Sequence, residues 1–221
     1  RDLFGGLEEN ESVDNSSITK KFIEIVGNNY GSQKSPKEIF FYLYGLLHSE
    51  DYRNLFKNNL SKQLPRIPLL VDFDLFVRAG ESLAELHTNF ESVEKYPIQI
   101  QQGDLLLADI SDPKSFFRVE KMRPKKKGDK SSVIYNKNIT IENIPLDAYE
   151  YVVNGKPALE WVMERQCVKT DKASGIVNDA NDYANETMNN PAYPLELFQR
   201  VITVSLETMK IVKSLPKLDF D

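Results

Sequence analysis

The spacing of apolar residues changes twice along this chain of 221 residues, and those changes restrict its fold more than any single motif does. Up to Phe90 apolar residues recur every three or four positions, from Tyr96 to Ile141 they alternate with polar ones, and from Leu146 the longer spacing returns. The longer spacing lines one face of a helix, whereas alternation lines one face of a strand. The pattern predicts an α+β fold, mostly helical, with a small antiparallel β-sheet and a basic hairpin between two helical parts.

In the first part, Ser35, Pro36 and Glu38 form a reciprocal capping arrangement with proline in the first turn, which predicts a helix over 36–48 with Ile39, Leu43 and Leu46 toward the core. Ser49-Glu50-Asp51 restarts a helix through Tyr52, Leu55, Phe56 and Leu60, so the two are expected to form a helical hairpin. "LPRIP" at 64–68 is irregular, because its prolines lack donors and restrict the residues before them. Asp72 or Asp74 caps a third helix carrying Phe73, Phe76, Leu83 and Leu86, and 17–26 is a weaker helix. Strands are predicted over 97–101, 117–122, 132–135 and 138–141. Helices follow over 146–152 and 158–166, then a polar loop over 169–190, then a helix through Leu195, Phe198, Ile202, Met209 and Val212. The chain opens at Arg1 with an acidic, aperiodic stretch, read as a linker within a longer polypeptide. The expected organisation is a linker and N-terminal helix over 1–34, then a domain over 35–216 made of helical (35–90), sheet (96–144) and helical (145–216) parts.

Charge is concentrated. "RVEKMRPKKKGDK", 118–130, holds seven Lys or Arg against two acids, which leaves the remainder near -10 in a chain of net charge -5. Lys127-Gly128-Asp129 between two strand patterns makes this a hairpin with Lys121, Arg123, Lys125, Lys126, Lys127 and Lys130 on or near its tip. Such a tip can neutralise phosphates, with Arg123 suited to bidentate contact with guanine, or can be a turn kept soluble by its lysines. The stretch 169–179, with Lys169, Lys172 and Asn178, offers groups able to read base edges, or is a connector whose Asp and Asn close their own turns.

Catalytic chemistry is poorly supported. Cys167 is the single cysteine, which excludes an internal disulfide and fits a reducing compartment, and two histidines, His48 and His87, argue against a zinc site. Neither histidine belongs to a triad, and Gly5-Gly6 and Ser174-Gly175 complete no phosphate loop. Asn189-Asn190-Pro191-Ala192-Tyr193 approaches the Asn-Pro-Pro-Tyr signature of amino-methyltransferases, but it carries alanine at the second proline and has no upstream glycine-rich loop, so it reads as the start of a helix. No apolar run reaches about 18 residues and the N-terminus lacks a signal-peptide pattern, which predicts a cytoplasmic protein without membrane contact.

Several blocks together, "PKEIFFYLYGLLHSEDYRNLF", "LPRIPL", "GESLAELHTNFE", "FFRVEKMR", "IPLDAYEYVVNGKPALEWVMERQCVKTDKASGIVNDANDY" and "PLELFQRVITVSLETMKIV", resemble the C-terminal specificity (target-recognition) region of single-chain type ISP restriction-modification enzymes, bacterial proteins often labelled predicted helicases. The resemblance spans about 35–216. It implies a parent polypeptide with a nuclease, a helicase-like ATPase motor and an adenine N6-methyltransferase, using ATP, Mg and S-adenosylmethionine, none of which this stretch itself binds. It further implies a non-catalytic DNA-binding role here, with double-stranded DNA and the methyltransferase and helicase domains as partners. A module coupling methyltransferase to motor without reading bases is the alternative. Under the resemblance, Lys121, Arg123, Lys125, Lys126, Lys127 and Lys130 become the expected phosphate clamp. The loop from Lys169 to Asp182, with Lys169, Lys172 and Asn178, becomes an expected reader or methyltransferase-facing element, and His48, Tyr52, Arg53 and Arg66 scaffold.

Overall fold

The computed structural model describes residues 17–102 and 110–220; the linker expected up to residue 16 lies outside them. The chain forms two compact units, the first reaching Glu81 and including the C-terminal tail from Pro216, the second spanning Ser82–Leu215.

In the first unit, α1 (Lys20–Tyr30) starts at Thr19, whose hydroxyl accepts from the Phe22 N–H, and stops at Gly31 with φ 63°. α2 (Pro36–His48) opens on the expected capping box: the Ser35 hydroxyl accepts from the Glu38 N–H, and the Glu38 carboxylate accepts from the Ser35 N–H at 2.8 Å. Ser49 ends α2 and caps α3 (Glu50–Leu55), which runs into the short α4 (Lys57–Leu60). The irregular "LPRIP" segment leaves carbonyls that no helix or sheet satisfies. Tyrosine hydroxyls take up two of them, Tyr52 donating to Arg66 O and Tyr42 to Pro68 O, and Tyr30 donates to Leu70 O just beyond, all at 2.6–2.7 Å. α5 (Phe73–Thr88) begins where the Asp72 carbonyl accepts from Leu75 and Phe76, while Asp74 lies inside the helix and pairs with Lys34. The unit boundary falls within α5.

The second unit is built on a four-stranded antiparallel sheet in the order β1 (Gln99–Ile100), β4 (Thr140–Glu142), β3 (Val133–Ile134), β2 (Arg123–Pro124). Two further hairpins follow, β5 (Val152–Val153) with β6 (Lys156–Pro157), and β7 (Val168–Thr170) with β8 (Val177–Asp179). The helical elements are α6 (Pro113–Phe117), α7 (Ala158–Arg165), the single turn α8 (Ala180–Asp182) and α9 (Tyr193–Lys213). Val119, Tyr135, Ile139, Ile141, Leu159, Phe198 and Ile202 form a fully buried core between the sheet, α7 and α9.

Three predicted elements take another form. The strand expected over 117–122 begins instead as the end of α6, because Asp112 caps from the Ser115 N–H and Pro113 starts a helical turn; ladder pairing begins only at Arg123. The helix expected over 146–152 is a 3-10 turn, Leu146–Tyr149, followed by a hairpin whose Asn154 and Gly155 both have positive φ, the turn that Asn-Gly between strands favours. The loop expected over 169–190 contains the β7–β8 ribbon. Its turn is closed by the Asp171 carboxylate, which accepts from Ala173 and Ser174, and by Gly175 at φ 71°. Beyond it lie α8 and a π-helical turn, Tyr183–Thr187.

Candidate nucleic-acid interface

The basic hairpin forms as the lysine-rich turn dictates. The Asp129 N–H bonds the Lys126 carbonyl, and Gly128 adopts φ 84°, the positive value that a type II turn needs at its third position. Asp129 accepts from the Ser131 N–H and hydroxyl, which holds its carboxyl below the usual carboxylate range.

The structure sorts the expected phosphate ligands into two groups. Lys125 bonds Glu142 at 2.7 Å and Gln101 at 3.1 Å, and Lys130 bonds Glu160 at 2.8 Å while lying over the Tyr149 ring. These two tie the hairpin to β4 and α7. Lys121, Arg123, Lys126 and Lys127 are exposed and have no carboxylate partner among the described residues.

Lys121 and Arg123 line one wall of a groove of about 520 Å³, with Arg118 and Glu120, and the opposite wall comes from the turn between β3 and β4. That turn presents Lys137, also exposed and without a carboxylate partner among the described residues. Asn136 and Asn138 join the walls: Asn136 donates to the Phe116 and Arg118 carbonyls, and Asn138 to Phe116. The Asn136 side-chain oxygen accepts from the Asn138 and Ile139 N–H groups, and this closes the turn that projects Lys137. Lys137 and the groove itself escape the sequence reading, although an Asn-Lys-Asn turn was the signal that could have found them.

The remaining expected readers sit on the β7–β8 ribbon. Lys169 and Asn178 are paired across it, and Lys172 lies in its turn. All residues over 169–178 are exposed, including Ile176 at 61% and Val177 at 58%. One hollow at the base of the ribbon mixes Glu164, Asp171 and Asp179 with Arg165 and Lys169, so that face carries no positive excess.

The histidines are structural in their placement. His48 Nδ1 lies 2.7 Å from the Tyr44 carbonyl, and burial, ahead of the raising effect of that bond, pushes its imidazole pKa down. His87 Nε2 lies 2.8 Å from the buried Thr208 hydroxyl. Tyr193 of the Asn-Pro-Ala-Tyr stretch is buried in the first turn of α9 and donates to Glu91. Among the described residues no cluster of His, Cys, Asp or Glu is placed to hold a metal, and no helix is long and apolar enough to cross a membrane.

The profile of the Type ISP C-terminal specificity domain matches residues 5–197. The chain belongs to that family. The specificity domain is similar to part of the ATP-dependent Type ISP restriction-modification enzyme LlaBIII bound to DNA, at 36% identity and a TM-score of 0.80 over 96% of this chain. A nuclease-deletion mutant of the Type ISP enzyme LlaGI, in complex with a DNA substrate mimic, matches 86% of this chain at 43% identity and a TM-score of 0.74. The DrdV–DNA complex matches 90% at 29% identity and a TM-score of 0.72. The specificity domain spans 14% of the LlaBIII and LlaGI chains and 20% of the DrdV chain. No curated protein matches it.

Proposed function

We propose that this specificity domain binds double-stranded DNA and reads the target sequence for a longer restriction-modification polypeptide, catalysing nothing itself. The observation that carries the reading is the groove where Lys121, Arg123 and Lys137 stand without carboxylate partners among the described residues, in a family whose solved relatives are bound to DNA. An unpaired cation meets a phosphate without first giving up a carboxylate, and each such contact releases counterions from the duplex. Lys126 and Lys127 extend the positive surface along the hairpin tip, while Lys125 and Lys130 act chiefly by holding that tip in place. The β7–β8 ribbon is the base reader, because a two-stranded ribbon fits the major groove. There Asn178 suits adenine, and Lys169 and Lys172 suit guanine or phosphate. Nuclease, ATP- and Mg-dependent motor, and S-adenosylmethionine-dependent adenine methylation belong to the rest of the polypeptide.

The test is retention of random duplexes by the 221-residue chain at low and moderate salt, with the retained pool sequenced. An enriched motif is the expected result. Retention without enrichment overturns base reading by this chain, and no retention at either salt overturns DNA binding altogether.

A further inference from the structure

The ribbon and the groove are held to each other by one short segment, 118–120, through a buried side chain that neither surface exposes. Asn181 is 3% exposed; its Oδ1 accepts from the Val119 N–H and its Nδ2 donates to the Val119 carbonyl, both at 2.9 Å. The amide thus makes the two bonds a neighbouring strand would make. Asp179, the last residue of β8, accepts from the Asn181 N–H and Nδ2 on one oxygen and from Arg118 Nη2, at 2.8 Å, on the other. Burial pushes the Asp179 carboxyl up, but these hydrogen bonds outweigh it and hold the group below the usual carboxylate range. The other strand is anchored too, the Val168 N–H bonding the Glu120 carbonyl at 3.0 Å. Further out, the turn of the ribbon is closed by bonds within itself. The residues that follow the anchor, Lys121 and Arg123, form the groove wall.

We propose that Asn181 and the Arg118–Asp179 ion pair are positioning contacts that set the register between the ribbon and the groove, and thereby the sequence specificity of the domain. This rests on the DNA-reading role proposed above. The ribbon tip stands on the order of 15 Å of extended chain from its base, so a pivot of about 10° there displaces it by roughly 2–3 Å. Base-edge hydrogen bonds made near the tip, where Lys172 lies, do not survive such a shift, whereas phosphate attraction falls off over a screening length of about 8–10 Å. Loosening the anchor therefore costs discrimination before it costs affinity.

The experiment compares wild type, Asp179→Asn and Asn181→Asp in the 221-residue chain, measuring Kd for a duplex selected from the random pool and for a scrambled duplex of equal length. Amide hydrogen exchange across the ribbon is followed in parallel. Asp179→Asn breaks the ion pair without removing any groove cation. The expected result is a drop of about tenfold or more in the ratio of scrambled to selected Kd, a salt slope for the scrambled duplex that does not fall, and faster exchange over the ribbon. A ratio that Asp179→Asn leaves intact overturns the proposal, as does a ribbon whose exchange does not change. If Asn181→Asp fails to fold, Asp179→Asn decides alone. A wild-type Kd ratio near one sinks the DNA-reading role and this proposal with it, whereas a larger wild-type ratio that both variants keep sinks this proposal only.

Discussion

At the residue scale, close packing and buried polar groups set the most sensitive positions. Gly45 and Gly80 let α2 and α5 approach until a Cβ on Gly80 would lie 1.8 Å from the Phe41 carbonyl oxygen, and one on Gly45 2.4 Å from that of Phe76. Gly80→Ala is expected to destabilise by about 1–3 kcal/mol or more, read as a lower urea midpoint. The Tyr42 hydroxyl donates to Pro68 O and accepts from the Leu70 N–H, so Tyr42→Phe strands two backbone groups and is expected to cost about 1–3 kcal/mol. His48 carries a pH signature. Its folded pKa lies below the ordinary 6.5 because burial disfavours the cation, so its contribution is fully present above that pH and is lost as pH falls through the depressed folded value. His48→Gln should flatten that part of a stability-versus-pH curve, which thermal unfolding between neutral and mildly acidic pH checks.

At the element scale, the basic hairpin divides into lysines that stand exposed in the turn and lysines that anchor it to neighbouring elements. Lys126 and Lys127 are exposed in the turn, whereas Lys125 and Lys130 reach back to Glu142 and Glu160. Replacing Lys126 and Lys127 with alanine is expected to weaken binding about equally for all duplexes and to reduce the salt slope by about 0.9 for each phosphate that is no longer neutralised. Replacing Lys125 and Lys130 should mainly raise hydrogen exchange in β2 and β3, with a smaller change in slope. Exposed ion pairs contribute little to stability, about 0–1 kcal/mol each, so neither pair of substitutions should unfold the second unit. Salt titrations of affinity beside exchange maps separate the two roles.

At the scale of the whole molecule, a net charge of -5 sets a ceiling on what this chain does by itself. Lys121, Arg123, Lys126, Lys127 and Lys137 are the cations of the hairpin and groove without carboxylate partners among the described residues. With each meeting one phosphate, the logarithm of affinity should fall with the logarithm of salt at a slope of about -4 to -5. A markedly steeper slope would place further phosphate ligands elsewhere on the chain. The acidic remainder repels the duplex at a distance, so binding is expected to be weak at physiological salt and to strengthen sharply on dilution of the buffer.

The sequence determined the elements whose causes are local. The capping box at Ser35, the proline break before α5, the apolar stripe of α9 and the Lys-Gly-Asp turn of the basic hairpin each follow from residues a few positions apart, and all are where the pattern puts them. Two local signals, Asp112-Pro113 and Asn154-Gly155, were equally legible and account for the elements that differ from expectation. The polar stretch after Val168 is a ribbon because Asp171 and Gly175 close a turn and bring Lys169 opposite Asn178. Only the tertiary structure decided which cations are compensated. Lys125 and Lys130 meet carboxylates 17 and 30 residues away, and Arg118 meets one 61 residues away. Charge pairing at that separation depends on how sheet and helices pack, not on neighbouring residues. For the same reason the groove containing Lys137, and the Asn181 anchor beneath the ribbon, exist only once the chain has folded.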